Sequence, residues 1–223
     1  LIPAGIADAV ARWDEEALLL GPAAQRGERF RHDGEIRPGD EFTMGGLDWR
    51  ALAAPGHDMQ ALVFHCPQRR LLISGDVLWQ DGFGIVFGEL LGETGALAAT
   101  RTTLEMIAGL DLDLVLPGHG PAFADVAAAL GRAFRRLQAY EGDPARVARN
   151  AVKACFTFNL LDRQRLPLAE LPAYLEGVPL FRDVGRRMLG LEPQALADWL
   201  LAELLKAGAV AIRDGCLEPT MAA

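Results

Sequence analysis

The chain has 223 residues, 51% apolar and 23% charged, with 22 Lys and Arg against 30 Asp and Glu for a net charge of −8. This is the composition of an ordinary soluble globular protein, one large domain or a domain with a smaller companion, and its acidic balance argues against general polyanion binding. Cys66, Cys155 and Cys216 are too few and too far apart for a disulfide framework or a CxxC metal site. No apolar run approaches the ~20 residues of a membrane span, so a reducing cytoplasmic setting is the default.

In chain order, Leu1-Ile2-Pro3 reads as the tail of a strand. Residues 5–20 read as a helix with Ile6, Val10, Trp13 and Leu18 on its apolar side. Residues 21–37 are polar and irregular, and Pro38-Gly39-Asp40 marks a turn. The runs Glu41–Met44 and Leu47–Ala53 flank Gly45-Gly46 and predict a β-hairpin. In its second strand Leu47, Trp49, Ala51 and Ala53 alternate with Asp48 and Arg50, so one face is buried. Residues 59–66 and 71–75 predict another strand pair around Pro67-Gln68-Arg69-Arg70. Leu71-Leu72-Ile73 has no polar alternation, the mark of a strand covered on both faces. Residues 77–87 are rich in glycine and aromatics, 96–110 predict a helix, and 112–116 a strand.

Three of these strands run into a Gly-containing turn that presents an imidazole or a carboxylate: Pro55-Gly56-His57, Ser74-Gly75-Asp76 and Pro117-Gly118-His119-Gly120. Each turn alone is ordinary Pro-Gly or Asx chemistry. Together they offer His and Asp side chains from separate strand ends, as a zinc or iron site requires. The ordered trio resembles the later motifs of the metallo-β-lactamase superfamily. That resemblance implies that His57 binds one metal, Asp76 bridges two, and His119 binds the second. It also implies two zinc sites, with iron or manganese as alternatives, and a metal-activated hydroxide, with no side chain assigned as catalytic.

The family's earlier HxHxDH segment has no counterpart: the one His before His57 is His32, in Arg31-His32-Asp33-Gly34. The expected fold is therefore α/β (α+β), the later part of an αββα metallo-β-lactamase sandwich with its N-terminal part missing. Residues 1–223 alone are then expected to bind metal weakly and to be inactive. Trp79 and Phe83, in the loop after Asp76, are candidate walls of a substrate pocket, with core anchoring of the loop as the equal alternative. Asp58 and Asp81 read as turn-surface carboxylates rather than partners of the ligands, His65 as a strand-face histidine and His32 as a loop residue.

From residue 125 the character changes. Residues 125–140 and 143–161 predict helices with no strand between them, the second opened by Asp143-Pro144. Residues 168–176, 180–189 and 193–207 predict three more, the last stopped by Gly208. Residues 209–212 and 216–217 close the chain as a hairpin across Arg213-Asp214-Gly215. Helices followed by a two-stranded wing resemble a winged-helix unit, which divides the chain into a metallo-β-lactamase-like domain at 1–160 and a helical, winged-helix-like domain at 161–223.

The family resemblance implies a metal-dependent hydrolase. A small acyl substrate of the ester or thioester type is favoured by the acidic charge and the apolar, Gly-rich loop after Asp76. A ribonuclease of the same fold and a non-catalytic scaffold lacking a complete metal site are the alternatives. Residues 193–207 carry Asp198, Glu203 and Lys206, the wrong balance for a phosphate-facing helix, and Arg182, Arg186 and Arg187 form at most a modest basic patch. Packing or homodimerisation is the role expected of the tail, with neither nucleic acid nor membrane as a partner.

Overall fold

The computed structural model describes residues 1–220, in two compact units. The first comprises residues 1–12 and 30–143; the second comprises residues 13–29 and 144 onward. The division falls at Asp143, seventeen residues earlier than the expected limit at 160, because the helix after Pro144 buries its apolar stripe in the second unit. Among the described residues no helix is long and apolar enough to cross a membrane.

In the first unit β1 (Ile2–Pro3) pairs in parallel with β2 (Glu35–Ile36), and a 3-10 turn leads into α1 (Ala7–Arg12). The helix expected over 5–20 stops at Arg12. Trp13 takes φ +56, and the Asp14 carboxylate then accepts the Ala17 N–H, capping a separate turn. β3 (Glu41–Met44) and β4 (Leu47–Ala53) form the expected hairpin. Gly45 and Gly46 both have positive φ, +63 and +73, as a two-residue turn matched to strand twist requires.

β5 (Leu62–Cys66), β6 (Leu71–Gly75) and β7 (Leu114–Pro117) complete a five-stranded sheet in the order β3-β4-β5-β6-β7, antiparallel except for the β6–β7 pair. β5 starts three residues later than expected because Asp58 turns the chain back: its carboxylate accepts from Gln60 N and its carbonyl from Ala61 N. The chain crosses from β6 to β7 through α2 (Phe87–Leu91) and α3 (Ala96–Ala108), and β7 leads on to α4 (Val126–Gly142). Asp125 caps α4 by accepting from Ala128 N.

Register separates the two faces of this sheet. Val63, Leu72, Ser74 and Val115 share one face and are buried. Phe64, Leu71, Ile73, Leu114 and Leu116 share the other and are half-buried, beside the fully buried Ala51 and Cys66. The face of β6 that carries Leu71 and Ile73 is thus covered less deeply than the face that carries Leu72 and Ser74; an apolar run in a strand reports two apolar faces, and only packing decides how deeply each is covered.

The second unit is built on α5 (Pro144–Arg163), whose Val147, Ala148, Ala151, Val152, Cys155 and Leu160 are buried. β8 (Leu166–Pro167), α6 (Leu171–Gly177), α7 (Pro179–Val184), a wider helical turn at Gly185–Leu189, α8 (Pro193–Lys206), β9 (Val210–Arg213) and β10 (Cys216–Pro219) follow. The expected hairpin gains β8 as a third strand, in the order β8-β10-β9. Phe156, Tyr174 and Phe181 cluster at centroid distances of 6.0–6.2 Å. Residues 13–29 join this unit through backbone groups: Asn159 Nδ2 donates to Ala23 O at 3.0 Å and Leu180 N to Pro22 O at 3.0 Å.

Candidate active site

The ends of β6 and β7 and the turn after β4 bring His57, Asp76 and His119 together in the first unit. β6 and β7 run in parallel, so Asp76 and His119 leave the same edge of the sheet. Gly118 lets the second turn close on the first: its N–H donates to Gly75 O at 2.7 Å, and a Cβ there would stand 2.8 Å from Asp76 Oδ1. Gly75 itself takes φ +51, the left-handed bend that swings Asp76 out of the strand. The turn bearing His57 is anchored by Thr103 on α3, whose hydroxyl donates to Pro55 O at 2.7 Å.

Asp76 lies between the two histidines. His57 Nε2 is 3.6 Å from Asp76 Oδ2, and His119 Nδ1 is 2.6 Å from Asp76 Oδ1. His57 Nδ1 sits 2.5 Å from the carbonyl oxygen of Ile85. A carbonyl only accepts, so Nδ1 carries a proton, and a ring neutral in this tautomer has its lone pair at Nε2. In that form Nε2 and Oδ2 face one another as two lone-pair donors. Two donors each ~2.0–2.1 Å from a tetrahedral zinc stand roughly 3.3–3.4 Å apart, close to the observed separation. The Ile85 carbonyl behind His57 is also the usual partner of a metal-ligating imidazole. The His57–Asp76 pair thus fits a divalent cation.

His119 stands differently. Its 2.6 Å contact with Oδ1 is a hydrogen bond, too short to admit a cation between those two atoms, and its side chain is half exposed. Accordingly, among the described residues no group of three or more His, Cys, Asp or Glu side chains is arranged to enclose a metal ion.

Of the two candidate wall residues, Trp79 is at the site: its indole N–H donates to Asp76 Oδ1 at 3.0 Å. Phe83 is not. It is 1% exposed, edge-on to Tyr140 and covered by the Arg136 guanidinium, so it anchors the loop in the core instead of lining a pocket. Asp58 caps its own turn and the exposed Asp81 pairs with Arg132 at 3.2 Å; both are turn-surface carboxylates. His65 lies on a strand face with Nε2 unpartnered, and burial holds its pKa below the usual imidazole value. His32 lies in the irregular stretch before β2.

Sequence reasoning missed Gly84 and Ile85. Gly84 N donates to Asp76 O at 2.7 Å, and a Cβ on Gly84 would stand 2.8 Å from His57 Nδ1 and 3.0 Å from Asp76 O. The only signal was glycine density in that loop, which does not single out a position.

The sequence model of the metallo-β-lactamase superfamily matches residues 2–119, more than half of the chain and all three of these residues. This chain belongs to that superfamily. A hydroxyacylglutathione hydrolase from Bartonella henselae is 37% identical over 73 residues, and one from Bartonella tribocorum 32% identical over 71. Each match covers 32% of this chain and 28% of the relative, so the chain matches less than a third of the length of these curated relatives. A metallo-β-lactamase family protein of solved structure from Thermus thermophilus is 19% identical, aligned over 97% of this chain and 65% of its own, with a TM-score of 0.43.

Proposed function

We propose that this chain contributes His57, Asp76 and His119 to the metal site of a hydrolase acting on a small ester or thioester. The observation that carries the reading is the His57–Asp76 pair, two lone-pair donors 3.6 Å apart with the other imidazole nitrogen committed to Ile85 O. When bound, zinc supplies Lewis acidity toward a substrate carbonyl and lowers the pKa of water near it. The chain's own residues do the positioning. Ile85 O fixes the tautomer and ring plane of His57, and Gly84 and Gly118 keep the space beside Asp76 clear. His119 holds one carboxylate oxygen so that the other faces His57. The thioester class is supported by the partial likeness to hydroxyacylglutathione hydrolases.

The tail supports packing over nucleic-acid binding. On α8 Leu196, Leu200 and Leu204 are buried within the second unit, while Asp198 and Lys206 are exposed. The arginines of the modest basic patch are largely compensated: Arg182 pairs with Asp183 at 2.7 Å and Arg186 with Glu176 and Glu192 at 3.1 and 3.2 Å. The second unit is read as a winged-helix-like element for packing or self-association.

The test is zinc competition calorimetry on the wild type, His57→Ala and Asp76→Ala, with S-hydroxyacylglutathione and single-stranded RNA offered as substrates. Zinc binding lost in both variants, with thioester cleavage wherever turnover occurs, supports the reading. Zinc binding indifferent to both substitutions, or cleavage of RNA alone, overturns it.

A further inference from the structure

One side chain touches both Asp76 and His119 and has no part in the ligand set above. Trp79 Nε1 donates to Asp76 Oδ1 at 3.0 Å, and its ring lies 5.2 Å from that of His119, centroid to centroid, tilted by 58°. Oδ1 therefore bonds to two partners, Trp79 and His119, while Oδ2 is left beside His57 Nε2. A carboxylate turning about its Cβ–Cγ bond exchanges its two oxygens; two donors on one oxygen stop that rotation.

The loop bearing Trp79 is itself clamped. Trp79 N donates to Gly82 O at 2.7 Å, closing a tight turn. From α4, Arg132 Nε donates to Gln80 O at 2.7 Å, inside that turn, and Arg136 Nη1 to Phe83 O at 3.0 Å, directly after it. The Arg136 guanidinium lies 5.4 Å from the Phe83 ring centre and 5.6 Å from that of Tyr140. Gly82, at φ +125, runs so close that a Cβ would stand 2.7 Å from Arg136 Nη1. An indole held this firmly is a fixed donor.

We propose that Trp79 is a positioning residue for a divalent cation at the His57–Asp76 pair: its N–H pins Oδ1 so that Oδ2 alone is presented alongside His57 Nε2. This rests on the reading that the pair binds a cation. Phenylalanine at this position keeps a ring against His119 and loses only the donor, so Trp79→Phe isolates the hydrogen bond.

The experiment uses the 223-residue chain as wild type, Trp79→Phe, Asp76→Ala and, as a control in the other unit, Trp199→Phe. Zinc affinity is measured by competition calorimetry and ligand geometry by the visible spectrum of the cobalt(II) form. The metal-free melting temperature of each variant is recorded to detect loss of fold. Trp79→Phe is expected to weaken zinc binding by about 10- to 100-fold, the usual range for a partner of a metal ligand, and to alter the cobalt spectrum. Trp199→Phe is expected to do neither.

In the wild type, the indole N–H resonance of Trp79, assigned by elimination with single Trp→Phe variants at the other three tryptophans, is expected to shift as zinc is added. That measurement stands even if Trp79→Phe does not fold. Zinc binding within twofold of wild type and an unchanged cobalt spectrum in Trp79→Phe would overturn the proposal while Asp76→Ala abolishes binding. A Trp79 resonance unmoved by zinc would overturn it too. If Asp76→Ala binds zinc as well as the wild type, the cation reading fails and Trp79 loses its role with it.

Discussion

Replacing Gly84 by alanine adds one methyl group where the loop after β6 passes close beneath His57 and Asp76. That carbon would meet His57 Nδ1 at 2.8 Å, Asp76 Cβ at 3.0 Å and Asp76 O at 3.0 Å. Side-chain rotation of His57 relieves only the first contact. The other two involve the backbone and Cβ of a residue held at the end of β6, and Gly84 N is bonded to that same Asp76 O at 2.7 Å. The strand end must therefore move by a few tenths of an ångström, an overpacking strain of about 1–3 kcal/mol. For a chain of this size 1 kcal/mol corresponds to roughly 3 °C in melting temperature, so Gly84→Ala is expected to melt roughly 3–9 °C below the wild type.

Gly131, inside α4, supplies the opposite case. Its added Cβ would meet nothing closer than Arg135 Nη1 at 3.5 Å, an ordinary contact. Gly131→Ala should gain about 0.5–1 kcal/mol from the reduced freedom of the unfolded chain. Circular-dichroism melts of the three proteins at one pH give the comparison. A Gly84→Ala protein as stable as the wild type would refute the argument that this glycine is required by close approach.

Other consequences are separately measurable. Thr103→Val keeps the shape of a buried side chain but leaves Pro55 O without its 2.7 Å donor, so chemical denaturation should show a loss of about 1–3 kcal/mol, with the His57 turn loosened. Burial lowers the pKa of His65 below its unfolded value of about 6.5, so below that pH the unfolded chain takes up a proton the folded chain resists. Its contribution is therefore fully present above pH ~6.5 and lost as pH falls toward the folded value; His65→Leu should flatten the pH dependence of stability in that window. Iodoacetamide at about pH 8 should label Cys216 and spare Cys66 and Cys155 in the native protein. Cys66 and Cys155 are buried, Cys155 has its thiol pushed up to about 12 by burial, and Cys216 is half-exposed; mass spectrometry of the labelled peptides reads the outcome.

Several features of this protein are local and are written in its sequence. Gly45-Gly46 between two alternating runs specifies the β3–β4 hairpin because both turn residues need positive φ. Strand, glycine, then His or Asp specifies where His57, Asp76 and His119 leave the sheet edge. Pro193 and Gly208 bracket α8, and its Leu196, Leu200 and Leu204 repeat on one face. Other features depend on residues far apart in the chain, and no local pattern contains them. The partner of the Trp79 indole, the burial of Phe83 against Tyr140 and the need for glycine at 84 arise only when the loop after β6 folds back on α4 and His57. A helical apolar spacing over 5–20 was overridden at Trp13 because residues 13–29 bond to α5, more than a hundred residues on. Periodicity reports which face of a segment is apolar, but which surface covers that face, and which polar atom finds which partner, is settled only by tertiary packing.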